Sequence, residues 1–245
     1  MVGLQARGAR EFNRVRDLVA EGYIGKVLSC TMIVTTSTWG AEFTRDWAYM
    51  ADRSQGNTLM TSVGGHSIDA LCFCLGEFKE LCSVVANQRQ RVKIVETGET
   101  VPMTSPDQVL LSGVLQSGAV ASVHLKGGFA NGTGFLFEIH GTEGDLAIVP
   151  ADTRQATYIQ VSEFTLRGSQ AGRPLADLSI PDGYRWVPPA VPAGLPFNVA
   201  QLYKRMAEGI RERKSASPDF EAAVKLHQLL DAIQKASDTG VRQIV

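Results

Sequence analysis

Between residues 81 and 166 the chain breaks into a succession of short runs rich in β-branched and aromatic residues, and this pattern limits the fold more than any other feature. The runs cover 81–89, 108–116, 119–126, 134–140, 145–149 and 157–166, lengths suited to single strands. Ser117-Gly118 separates two of them, and His140-Gly141-Thr142-Glu143-Gly144 lies between two others. Both have hairpin-turn chemistry, so most neighbouring strands should run antiparallel. One further strand, 26–37, precedes the series.

Helical periodicity brackets this centre. Residues 9–22 place Phe12, Val15, Leu18 and Val19 on one stripe with Gly22 at the C-cap position, and 58–75 reads as a second helix closing at Gly76. Between them a loop, 39–55, holds Trp39, Arg45, Asp46, Trp47 and Tyr49. Five of the ten prolines fall in 181–196, which reads as a stiff irregular crossing. Two helices finish the chain, 197–213 and one opening after Pro218-Asp219 with Phe220, Val224, Leu226, Leu229, Leu230 and Ile233 on its apolar side. The expected architecture is α+β in two layers, a large mostly antiparallel open sheet with helices packed on one face, formed by residues 1–245 as one domain.

The formal net charge of -1, with no run of Lys or Arg, leaves no footprint for nucleic acid. The apolar stretch 70–75 is far short of the ~20 residues of a membrane span. The first residues carry no apolar targeting segment, so the expectation is a cytoplasmic protein without membrane or nucleic-acid partners. Cys30, Cys72, Cys74 and Cys82 form neither a CxxC pair nor a zinc spacing, and they read as reduced, buried thiols with no metal site.

Three segments carry candidate chemistry. In Gly64-Gly65-His66-Ser67-Ile68-Asp69, two glycines open space beside an imidazole, and Asp69 at i+3 shares its helix face. His66 is either an acid/base group oriented by Asp69 or a core histidine satisfied by a hydrogen bond. Along 119–126 the alternation puts Ser122, His124 and Lys126 on one face and Ala121, Val123 and Leu125 on the other. That polar row floors a pocket, meets solvent or meets another subunit. The loop 39–55 offers Trp39, Arg45 and Trp47 as stacking and hydrogen-bonding surface, although loop aromatics also serve to pin a loop to the core.

Nucleotide motifs fail. The glycine run 127–134 breaks G-x-G-x-x-G spacing and leads into a strand, and Gly3 to Gly8 has P-loop spacing with Ala9-Arg10 where Lys-Ser/Thr is required. No cofactor is expected on this chain.

The segment 56–71 resembles the "GG-x-x-x-D-x-G-x-H-x-x-D" helix of the Gfo/Idh/MocA oxidoreductases. Ile139 to Leu146, the terminal helix 218–240, Val2-Gly3-Leu4-Gln5, Pro106-Asp107-Gln108, Gly183-Tyr184-Arg185-Trp186 and Asn198-Val199-Ala200 extend the likeness over nearly the whole chain. It is nearest to the subgroup of the fungal galactose-regulon repressor. The resemblance implies the family's C-terminal substrate domain, with His66 and Asp69 as the catalytic pair. It further implies a small-molecule site including Trp39, Arg45, Trp47, Ser62, His124 and Lys126, with Lys126 or Arg45 holding an anionic or hydroxylated ligand. Packing of the sheet face in a homo-oligomer follows too. Ser62 stands where the family carries an aspartate four positions ahead of its histidine. The family's nucleotide-binding domain and catalytic lysine would precede Met1, so NAD(P) chemistry is expected only if such a domain is supplied. Three functions stay open: an oxidoreductase substrate domain unable to transfer hydride by itself, a cofactor-free isomerase, lyase or cyclase using His66, and a non-catalytic regulatory or protein-binding module.

Overall fold

The computed structural model describes residues 1–128, 132–152, 158–215 and 218–245. In chain order the helices are α1 (Arg10–Ala20), α2 (Gly65–Leu75), α3 (Leu195–Glu212) and α4 (Phe220–Thr239). The strands are β1 (Val27–Thr35), β2 (Glu42–Phe43), β3 (Phe78–Ala86), β4 (Arg91–Ile94), β5 (Thr100–Pro102), β6 (Gln108–Leu115), β7 (Val120–Lys126), β8 (Phe135–Gly141), β9 (Gly144–Pro150), β10 (Phe164–Gln170), β11 (Ala176–Asp177) and β12 (Gln243–Ile244). Nine of them form one sheet in the order β11-β10-β9-β8-β1-β7-β6-β3-β12. Every pairing in it is antiparallel except β1 with β7. β2, β4 and β5 make a separate three-stranded sheet.

Alternation fixes which face of the large sheet is covered. Cys30, Met32 and Val34 of β1, Ala121, Val123 and Leu125 of β7, and Phe135, Phe137 and Ile139 of β8 are all buried beneath the helices. Phe12 of α1 lies in the centre of this layer, stacked on Phe137 with centroids 6.3 Å apart and edge-on to Phe164 at 5.7 Å. The opposite face is open, with Val84, Leu110 and Val120 among its exposed residues. The two-layer α+β architecture with helices on one face is therefore the observed one.

Local departures have physical causes. The 39–55 loop folds into β2 and the short 3-10 turns Arg45–Ala51 and Arg53–Gln55. The helix expected at 58–75 opens as a π turn, Met60–Gly64, before α2. The widened turn lets the backbone reach the sheet: a side chain at Gly64 would come within 2.8 Å of Leu125 Cδ1 and 3.1 Å of the Leu59 carbonyl. The strand expected at 157–166 starts later, as β10, because Tyr158 to Ser162 is a turn held by Tyr158 carbonyl bonds from Val161 and Ser162; residue 157 lies outside the described residues. All four cysteines are free, three of them buried and Cys82 half-buried. Among the described residues no helix is long and apolar enough to cross a membrane.

Candidate functional site

β1 leaves the sheet beside the end of β7, its parallel neighbour, and the crossing is tied by backbone. Thr36 N–H donates to the Lys126 carbonyl at 3.0 Å, and Gly128 N–H donates to the Thr38 carbonyl at 2.8 Å. Trp39 follows in the left-handed region, φ 54°, and its indole is only 1% exposed. Such a conformation is costly for a bulky residue and persists only where packing over-determines it. Here the packing is backbone against backbone: a Cβ on Gly127 would fall 2.6 Å from the Trp39 carbonyl oxygen.

This crossing, the β2 region, the π turn and the segment 158–160 enclose a cleft of about 470 Å³. Trp39, Phe43, Trp47 and Tyr158 supply its aromatic surface, while Ser37, Thr38, Thr44, Asn57, Ser62 and Gln160 bring polar groups. Among the described lining residues only Glu42 is charged. Trp47 is 52% exposed at the rim, its ring 6.4 Å from Tyr49, whose hydroxyl accepts from Asn57 Nδ2 at 3.0 Å. Ser37 and Tyr158 hydroxyls meet at 2.5 Å and lock the two sides together. Trp39 Nε1 and Gln160 Oε1 are buried and have no hydrogen-bond partner among the described residues. The groups open to a hydroxylated molecule are the polar side chains of the rim, Thr44, Asn57 and Ser62.

The sequence candidates divide. Trp39, Trp47 and Ser62 come together in this cleft, whereas Arg45, His66, Asp69, His124 and Lys126 are not among its lining residues. Arg45 donates its backbone N–H to Glu96 Oε2 at 2.8 Å and its side chain is exposed. Strand alternation separates the histidines: Leu125 faces α2, so His124 and Lys126 lie on the open side of the sheet, away from the His66 helix. The loop and the start of the 58–75 segment, through Ser62 and Val63, meet in this cleft, while the polar row of β7 faces the other side of the sheet. His124 Nε2 is 3.2 Å from Gln108 Oε1, and Lys126 Nζ donates to the Thr133 carbonyl at 3.4 Å.

The i+3 spacing of His66 and Asp69 also resolves differently. Asp69, 3% exposed, takes both oxygens to Arg7, with Nη2 at 2.6 Å from Oδ1 and Nε at 3.0 Å from Oδ2. His66 is half-buried, and its Nδ1 has no partner. Burial lowers its pKa from 6.5, and the nearby Asp69 charge opposes that shift only in part. For a base with a depressed folded pKa, the unfolded chain takes up the proton first, so the stability present above pH 6.5 is lost as pH falls through and below that value. His66→Asn should accordingly flatten the decline in unfolding free energy between about pH 7.5 and about pH 5.5, measured by urea denaturation. A decline as steep as in the unmodified chain would show that other groups carry it.

Sequence reasoning missed Phe43, Glu42, Tyr158 and Gln160. Glu42 and Phe43 sat inside the recognised loop without a motif to mark them. Tyr158 and Gln160 reach the cleft from more than a hundred residues away, and no local spacing signals that approach. As for NAD(P), the glycines at 127–128 are occupied by close packing against Trp39 and Gly40 and present no phosphate cradle. No hydride step is assigned to these residues.

A large open sheet roofed by helices is a fold that this chain shares with solved regulators and oxidoreductases alike. Residues 11–149 match the family described as "Gal80p, C-terminal domain", and the chain belongs to that family. The galactose/lactose metabolism regulatory protein GAL80 of Kluyveromyces lactis is 29% identical over 177 residues, 68% of this chain and 38% of that protein. Its Saccharomyces cerevisiae counterpart is 29% identical over 159 residues, 60% and 37% respectively. The chain thus spans less than two fifths of the length of these relatives. The crystal structure of a super-repressor mutant of S. cerevisiae Gal80p superposes with a TM-score of 0.84 at 23% identity, over 99% of this chain and 64% of that one. Levoglucosan dehydrogenase, in complex with NADH and L-sorbose, superposes at 0.81 with 21% identity over 100% and 66%. At such identities the likeness is one of fold.

Proposed function

We propose that this chain is the ligand-binding domain of a Gal80-like regulatory protein, holding a small hydroxylated molecule in the Trp39–Trp47–Ser62 cleft without oxidising it by itself. The cleft, with the exposed Trp47 ring at its rim and hydroxyl and amide side chains along its wall, carries the reading. Support for binding without turnover comes from His66, which lies outside the lining and has no charged hydrogen-bond partner, and from the uncharged Ser62. The regulatory part rests on the relatives, both described as regulatory proteins. Titration with sorbitol, L-sorbose and levoglucosan at about 10 mM, the range of weak ligand affinity, should quench tryptophan fluorescence, and Trp47→Ala should weaken binding about tenfold. The same fluorescence in the presence and absence of every one of these compounds would count against the reading.

One observation favours a second reading, a cofactor-free isomerase, lyase or cyclase. Burial lowers the His66 pKa, which favours the neutral imidazole that a general base requires. Turnover of a hydroxylated carbonyl compound without added nucleotide, abolished in His66→Ala, would establish it.

The open sheet face, with Val84, Leu110 and Val120 exposed beside polar Ser122 and Glu138, supports a homo-oligomer joined through that face. Sedimentation at micromolar concentration should return at least a dimer, and Leu110→Glu should shift it to monomer. A monomer mass for the unmodified chain would remove this element.

A further inference from the structure

Resting on the cleft reading above, we infer that the cleft selects a hydroxylated ligand bearing an ammonium group, with Glu42 as the residue that sets this preference. Trp47 and Tyr158 present ring surface to the space, and the faces of such rings carry negative potential that attracts cations. Glu42 adds a full negative charge to the same wall, and no Lys, Arg or His stands among the described lining residues.

The cations expected to serve the site are elsewhere. Lys126 points to the open side of the sheet and donates to the Thr133 carbonyl, and Arg45 is exposed outside the lining. Lys93 reaches Glu42, but only at 3.4 Å and through Oε1, with both side chains more than half exposed. Such a pair is screened by water and contributes little, so it neither neutralises Glu42 firmly nor blocks its second oxygen. An anionic ligand would place its charge beside Glu42 with no cationic side chain among the described lining residues, whereas an ammonium gains a charge-assisted bond and the ring faces together. The uncharged Thr44, Asn57 and Ser62 are left to pair with hydroxyl groups.

Three polyols of one carbon skeleton test this by calorimetric titration of the whole chain: N-methyl-D-glucamine, cationic; sorbitol, neutral; and gluconate, anionic. N-methyl-D-glucamine should bind about tenfold more tightly than sorbitol, as a charge-assisted bond warrants, and gluconate more weakly than either. Glu42→Gln should remove the preference, bringing the cation and sorbitol to equal affinity. Glu42 is half exposed on a two-residue strand, so this variant is expected to fold, which an unchanged unfolding midpoint verifies. Equal affinity for cation and neutral polyol, or preference for gluconate, overturns the charge inference and leaves the cleft intact. No binding by any of the three, with folding intact, overturns the cleft reading as well.

Discussion

Replacing Asp69 by asparagine is expected to lower the unfolding free energy by about 3 kcal/mol, seen as a fall in urea midpoint at an unchanged slope. The carboxylate is almost completely buried and both its oxygens bind Arg7, whose guanidinium also lies 5.4 Å from the centroid of Phe73. Neutralising Asp69 leaves a partly buried cation without its partner, and that uncompensated charge is the main cost. Removing both charges together, in Arg7→Met with Asp69→Leu, should recover much of the loss, because a buried pair replaced by apolar groups of similar volume is often close to neutral. If Asp69 instead served to orient His66 for chemistry, the single substitution would leave the urea midpoint within experimental error and alter turnover alone.

Phe12→Ala should cost about 3 to 5 kcal/mol, the range for deleting a large aromatic side chain from a packed interior. Phe12 has no exposed surface and joins α1 to β8 and β10 through Phe137 and Phe164. Its loss opens a cavity where three elements meet, so thermal unfolding should shift down by several degrees with less cooperative melting. Phe12→Leu, which keeps most of the volume, should recover more than half of the loss. A change below about 1 kcal/mol for alanine would mean that the helix layer collapses to fill the gap, contrary to a rigid interior.

The fold was legible where one local rule decides each element. Alternation in 119–126 and 134–140 gave both the strands and the buried face, and the stripe Phe12, Val15, Leu18 marked α1. The parallel pairing of β1 with β7 was not legible, since it depends on which distant strand closes against β1. Neither was the small sheet of β2, β4 and β5, whose strands are only two to four residues long. For the candidate site, the aromatic loop contributes Trp39 and Trp47 to the cleft lining, because residues of that type in a long loop either pin it or line a cleft, and here Trp39 does both. Asp69 shows the opposite case. Helical spacing put it beside His66, but spacing carries no information about Arg7, sixty-two residues earlier, which claims the carboxylate.

The chain contains three tryptophans, and their indole N–H signals report separately on the account. Trp39 and Trp47 line the cleft, while Trp186 is stacked under Arg205 at 4.1 Å outside it. In a nitrogen-15 correlation spectrum, addition of sorbitol should move the Trp39 and Trp47 indole signals in a saturable way, Trp47 most because its ring is the exposed one at the rim, and leave Trp186 in place. Saturable movement of Trp186 with the other two unmoved, or no movement of any indole signal at saturating polyol, would contradict the cleft as the ligand site.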